Sequence, residues 1–183
     1  MEIDLGSISK GYTGNRLVEL LSENGVKNAL LNHGGNVHVL GTKPDGTPWR
    51  VAVADPNGDV YAGVVEVVDK AVVTSGGYER YFELDGIRYH HIIDPTTGYP
   101  ANNSFLPVTI VGSDGAVCDA LATALFVMGP ERAAEFWKGS DDFEAVFITT
   151  DGICITEGLE DALSPFGDYN DYNNEKVTVL YHD

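Results

Sequence analysis

Two β-rich runs meet at Asp85-Gly86, and this junction restricts the fold more tightly than any other stretch of the chain. A two-residue Asp-Gly connection favours a type I′ turn, because both central residues need positive φ. Register then follows by counting: Glu83 opposes Arg88, Phe82 opposes Tyr89, Tyr81 opposes His90 and Arg80 opposes His91. Alternation puts Tyr78, Arg80, Phe82, Leu84, Ile87, Tyr89, His91 and Ile93 on one face, with Glu79, Tyr81, Glu83, Arg88, His90 and Ile92 on the other. The first set is the more apolar, so His91 is expected to point inward and His90 toward solvent. An inward histidine ahead of Asp94-Pro95-Thr96-Thr97-Gly98 is either a packed core imidazole or a group held in a pocket. Tyr78 reads as core or pocket wall.

The rest of the chain is antiparallel in flavour, with short loops. Glu2-Ile3-Asp4-Leu5 reads as a strand entering a small-residue loop, Gly6-Ser7-Ile8-Ser9-Lys10-Gly11, ahead of a helix with Leu17, Val18, Leu20 and Leu21 on its stripe. Such a loop can present free N–H groups to a phosphate, and is equally the mark of a tight strand-to-helix connection. Strands are expected over 28–31, 37–40, 49–54, 64–68, 71–73 and 106–111, and the turn Asn32-His33-Gly34-Gly35-Asn36 separates the first two. A second Asp-Gly hairpin is expected about Asp151-Gly152. The clearest helix runs from Ser113, read as its N-cap, to Gly129, burying Val117, Leu121, Ala124, Leu125 and Met128. A shorter helix follows from Pro130 to Lys138. Ser164 to Glu175 reads as an acidic surface loop and Val177 to Tyr181 as an edge strand.

With 183 residues and 43% apolar composition, one domain over 1–183 is expected, of class α+β: antiparallel sheet with a few packed helices. The net charge of −17, from 28 acidic against 11 basic side chains, repels nucleic-acid phosphate and anionic lipid. A phosphate-bearing ligand therefore needs a cation as intermediary or a very local basic spot. No apolar run approaches the roughly 20 residues of a membrane-spanning helix, so no direct membrane insertion is expected. Cys118 and Cys154 read as two buried thiols rather than a bridge.

Asp119 and Thr123, four residues apart on one helix, pair a carboxylate with a hydroxyl, both hard oxygen donors suited to Mg²⁺ or Ca²⁺. The same pair is equally an exposed aspartate and a threonine bonded to the preceding turn. Five segments carry a resemblance that goes further: Asp4-Leu5-Gly6-Ser7-Ile8-Ser9-Lys10-Gly11-Tyr12, Asn32-His33-Gly34-Gly35-Asn36, Thr74-Ser75-Gly76, His91-Ile92-Ile93-Asp94-Pro95-Thr96-Thr97-Gly98-Tyr99-Pro100 and Asp119-Ala120-Leu121-Ala122-Thr123-Ala124. Together, and in this order, they resemble the motifs of the ApbE family, the FAD:protein FMN transferases, whose fold is T-fold-like.

The resemblance implies Mg²⁺-dependent transfer. FAD as substrate is split at its pyrophosphate, FMN is attached to a threonine hydroxyl of an acceptor flavoprotein subunit, and AMP leaves. Carried over position by position, Asp119 and Thr123 match the metal-binding side chains and Ser7 a metal-binding carbonyl. Asp4, Lys10 and Ile93 match flavin-nucleotide contacts, and His91 matches the group that takes or orients the threonine proton. The family's usual N-terminal portion precedes the Asp4 motif, so the 1–183 domain is expected to lack it. The resemblance also points to the extracytoplasmic side of a bacterial membrane. Two other readings stay open: a non-catalytic FAD- or nucleotide-binding module or fragment, and a structural interaction domain in which the motifs hold turns and core.

Overall fold

The computed structural model describes residues 4–55, 61–78, 80–102, 105–165 and 177–182. The chain opens with helix α1 (Ser9–Glu23) and then strands β1 (Ala29–His33), β2 (Asn36–Leu40), β3 (Trp49–Ala54), β4 (Tyr61–Val67) and β5 (Ala71–Gly76). Two small hairpins follow, β6 (Tyr81–Leu84) with β7 (Ile87–His90) and β8 (Ile93–Asp94) with β9 (Tyr99–Pro100). Next come β10 (Phe105–Gly112), helices α2 (Gly115–Met128) and α3 (Pro130–Lys138), β11 (Phe143–Thr149) and β12 (Ile153–Thr156). Strands β13 (Leu163–Pro165) and β14 (Val177–Leu180) complete the described elements.

Seven strands make the main sheet in the order β1-β2-β5-β10-β11-β12-β14, antiparallel except where β14 runs beside β12. Strand alternation divides its side chains between two cores. Val73, Ile110 and Phe147 face α2 and α3, meeting Cys118, Ala122, Leu125, Phe126 and Trp137. Their neighbours Val72, Val111 and Val146 face a second sheet, β13-β4-β3, and meet Val51, Val53, Val65 and Leu163. Helices, main sheet and small sheet thus form three layers, and each buried branched or aromatic side chain contributes roughly 1.5–3 kcal/mol. The α+β class expected from sequence is the one observed. The second sheet was not foreseen, because β3 and β4 read like their neighbours; only packing takes them out of the main sheet.

The central hairpin has the expected register, from Tyr81 opposite His90 to Leu84 opposite Ile87, and Asp85 and Gly86 take φ of 51° and 76°. Its orientation differs from the expectation. Phe82, Leu84 and Ile87 of the supposed inner face are more than half exposed, and His91 is exposed. His90 is the part-buried histidine, packed edge-on against Phe126. The reason is that β6 and β7 form a separate two-stranded sheet, so counting apolar residues did not report what lies beneath them.

Both long helices turn inward a face that only partly matches the one expected. The N-cap of α2 is Asp114, whose Oδ1 accepts the Ala116 and Val117 N–H groups at 2.9 and 3.1 Å, rather than Ser113. Its buried residues are Gly115, Cys118, Asp119, Ala122, Leu125 and Phe126; of the expected stripe Leu125 is buried, Leu121 and Met128 pack against the core, and Val117 is 47% exposed. This helix is apolar nearly all round, so periodicity had no polar face from which to set the stripe. In α1 the buried positions are Gly11 and Gly14; Leu17, Val18 and Leu21 are half-buried and Leu20 is exposed. The later hairpin turns at Thr150-Asp151, one residue before the expected centre, closed by Thr149 N–H on Gly152 O. Asp4 and Leu5 lie in no strand, and Glu2 and Ile3 fall outside the described residues. Of the expected surface loop 164–175, Ser164 and Pro165 belong to β13 and the rest falls outside the described residues. β14 is the expected edge strand. Among the described residues no helix is long and apolar enough to cross a membrane.

Candidate functional site

The site begins where α1 crosses α2. A Cβ at Gly11 would lie 2.5 Å from the Gly115 carbonyl carbon and 2.8 Å from Asp119 Cβ, so only glycine allows this approach. The closeness lets Gly11 N–H donate to Asp119 Oδ2 at 2.8 Å. One turn along α2, Thr123 Oγ1 lies 3.1 Å from Ser75 Oγ on β5. A carboxylate and two hydroxyls, from α2 and β5, thereby face one cavity of about 750 Å³.

All seven residues singled out from sequence line that cavity: Asp4, Ser7, Lys10, His91, Ile93, Asp119 and Thr123. They lie as far as 119 positions apart (123 − 4) in the chain, and the fold brings them together. Asp4 is held by its own turn, with Oδ1 accepting Gly6 N–H at 2.6 Å. Lys10 Nζ reaches Gly34 O at 3.5 Å, which ties the first loop to the Asn32–Asn36 turn. His91 and Ile93 are both exposed and line the cavity rather than the core, while Ile92 between them is buried and borders it from beneath. His91 N–H and Nδ1 both approach Arg80 O at 3.2 Å. A carbonyl only accepts, so Nδ1 carries the proton in that bond and Nε2 keeps a lone pair.

Sequence reasoning gave no role to Ser75, Gly34 and Arg80, which also line the cavity. The Thr74-Ser75-Gly76 and Asn32–Asn36 motifs had marked the first two as part of a pattern, whereas Arg80 had only its place in the hairpin. With Lys10, Arg80 supplies the local basic spot that a phosphate needs in so acidic a chain. The loop before α1 offers fewer N–H groups than expected: Ser9 N–H is bonded to Leu5 O and Gly11 N–H to Asp119.

Asp119 is 3% exposed and enters no ion pair among the described residues. His38, whose titration feels that carboxylate, is held below its ordinary range by burial. A buried carboxylate without counter-charge beside two hydroxyls is a donor set for a hard cation. Among the described residues no group of three or more histidine, cysteine or acidic side chains is placed to hold a metal. The residues fit Mg²⁺, with Asp119 and Thr123 as side-chain donors and Ser7 in the lining loop.

Residues 1–147 match the profile of the ApbE family. The FAD:protein FMN transferase of Treponema pallidum (strain Nichols) is 42% identical over 161 residues, which cover 82% of this chain and 44% of that protein. The protein of the same name from Escherichia coli (strain K12) is 37% identical over 152 residues, covering 82% and 43%. The crystal structure of the ApbE protein from Thermotoga maritima gives a TM-score of 0.81 at 37% identity, over 88% of this chain and 53% of that one. Flavin transferase ApbE from Vibrio cholerae gives 0.72 at 33% identity, over 90% and 50%. The chain spans about half the length of the relatives it matches. A profile match over residues 1–147, together with solved folds that superpose on most of the chain, places it in the ApbE family.

Proposed function

We propose that this protein carries the catalytic site of an FAD:protein FMN transferase. FAD is bound as substrate, a threonine hydroxyl of an acceptor flavoprotein attacks the phosphorus on the FMN side, the pyrophosphate P–O bond breaks, and AMP leaves. The observation that carries the reading is the convergence of seven residues, from Asp4 to Thr123, on one cavity. Its volume suits a ligand of nucleotide size.

Transfer between phosphates asks for positioning and charge neutralisation rather than covalent help. Mg²⁺ held by Asp119, Thr123 and the Ser7 carbonyl would supply the neutralising charge. Lys10 and Arg80 add cationic side chains, Asp4 and Ile93 bound the flavin-nucleotide end, and His91 Nε2 is free to take the threonine proton while Nδ1–H stays on Arg80 O. The acceptor belongs with flavin-carrying redox subunits on the extracytoplasmic side of a bacterial membrane.

The test is FAD titration by calorimetry with and without Mg²⁺, with AMP release followed in the same samples and an acceptor peptide added last. Mg²⁺-dependent binding with AMP appearing, and FMN joined to the peptide, is the expected result. Binding without AMP would replace the transferase with a flavin-binding module, and absence of binding would remove both.

A further inference from the structure

We propose that His90 is a positioning residue that sets where His91 stands relative to the oxygen donors on α2. The inference rests on the transferase reading for the part His91 plays, but its geometry stands separately. Four segments converge on the His90 ring. Nε2 lies 3.0 Å from Ala101 O, just past β9, and since a carbonyl only accepts, Nε2 carries the proton. Ile92 N–H donates to Nδ1 at 3.3 Å, which requires that Nδ1 be bare. One neutral tautomer satisfies both bonds.

The ring also stands edge-on to Phe126 of α2, with centroids 5.6 Å apart and planes at 79°. Gly77, just after β5, leaves the space it occupies, since a Cβ there would lie 2.6 Å from His90 Cδ2. Ala101 N–H closes the arrangement on Ile92 O at 3.0 Å, and Ile92 and Ala101 are buried in the same core as Phe126.

The segment 90–93 is therefore pinned through part-buried His90 and buried Ile92, while His91 and Ile93 are exposed on the cavity that Ile92 also borders. Phe126 is three positions from Thr123 and seven from Asp119 on the same helix, so His90 couples the backbone of His91 to the element that carries the donors. Among the described residues His91's own bonds reach a single carbonyl, that of exposed Arg80. They orient its ring without fixing its distance from α2.

The test pairs His90→Leu, which keeps apolar contact with Phe126 and loses both bonds, with His90→Gln, whose amide can donate to Ala101 O and accept from Ile92 N–H. His90→Leu is expected to lower kcat for AMP release by on the order of tenfold to a hundredfold, with FAD affinity within about threefold of the parent. His90→Gln should recover most of that loss. Long-range ¹H–¹⁵N spectra of the imidazoles should place His90 in the Nε2–H tautomer, and the His91 ring signals should move in His90→Leu but not in His90→Gln. Unchanged kcat in His90→Leu would overturn the proposal. So would parallel losses of kcat, affinity and melting temperature in both variants, which mark a role in folding alone. If the parent protein releases no AMP, the transferase reading fails by itself. The spectra then decide this inference, which is rejected by unmoved His91 signals in His90→Leu or, should that variant not fold, by an Nδ1–H tautomer of His90 in the parent.

Discussion

Replacing Asp119 by asparagine separates the charge of this side chain from its shape. Asparagine keeps a carbonyl oxygen for the Gly11 N–H bond of 2.8 Å and deletes a charge that is 3% exposed and enters no ion pair among the described residues. An uncompensated buried carboxylate costs folding free energy, so metal-free Asp119→Asn should be more stable than the parent, by about 1 kcal/mol. Mg²⁺ is expected to reverse the order. A ligand that binds only the folded state adds about 2.7 kcal/mol when present at a hundred times its Kd. For a chain of 183 residues each kcal/mol moves the melting temperature by about 2–4 °C, so the parent should gain roughly 5–11 °C while Asp119→Asn stays still. Scanning calorimetry of both proteins across a magnesium titration reads the crossing directly. Two curves that rise together, or a parent that does not respond, would refute the assignment of Asp119 to the metal.

Gly11→Ala gains about 1 kcal/mol of helix propensity and loses about 3 kcal/mol to overpacking against Gly115 and Asp119, so its melting temperature should fall by roughly 4–8 °C. A stabilised variant would mean that α1 can slide off α2. His91→Ala is expected to slow AMP release by on the order of a hundredfold or more with FAD affinity little changed. Equal losses in rate and affinity would assign His91 to binding instead. His182 Nδ1 lies 2.7 Å from Glu157 Oε1 and its ring sits tilted against Trp137, and the bond to Glu157 raises the imidazole above its ordinary 6.5. A raised folded value means that the tie is fully present below pH 6.5 and is lost as pH rises through the raised value. The melting-temperature gap between the parent and Glu157→Gln should therefore narrow with rising pH, and a widening gap would reverse the sign of the argument.

The site was more legible in the sequence than the packing around it. Asp119, Thr123 and His91 carry chemistry in their side chains, the family resemblance implied a role for each, and the fold brings all three to one cavity. The hairpin register and its positive-φ turn were legible for a similar reason: Asp85-Gly86 restricts its own backbone whatever surrounds it. Helix α3, bounded by Pro130 and by Gly139 after Lys138, was found at its expected limits because its start and stop signals are local.

What the tertiary structure alone decided is which side of each element faces inward. In α2 the apolar residues run nearly all round, and the choice of Cys118, Ala122 and Phe126 over Val117 came from the Gly11–Gly115 crossing, a contact between residues 104 positions apart (115 − 11). The same crossing buried Asp119, which by itself could equally have been a solvated helical aspartate. For β6 and β7 the apolar count favoured the face carrying Phe82 and His91, yet the hairpin stands outside the main sheet and His90 holds its base against Phe126. Local propensity and turn chemistry act over a few residues and are written in the sequence. The direction of burial depends on which distant surface arrives, and here α2, packed on β5 and β10 with Phe126 against His90, settled it for both histidines.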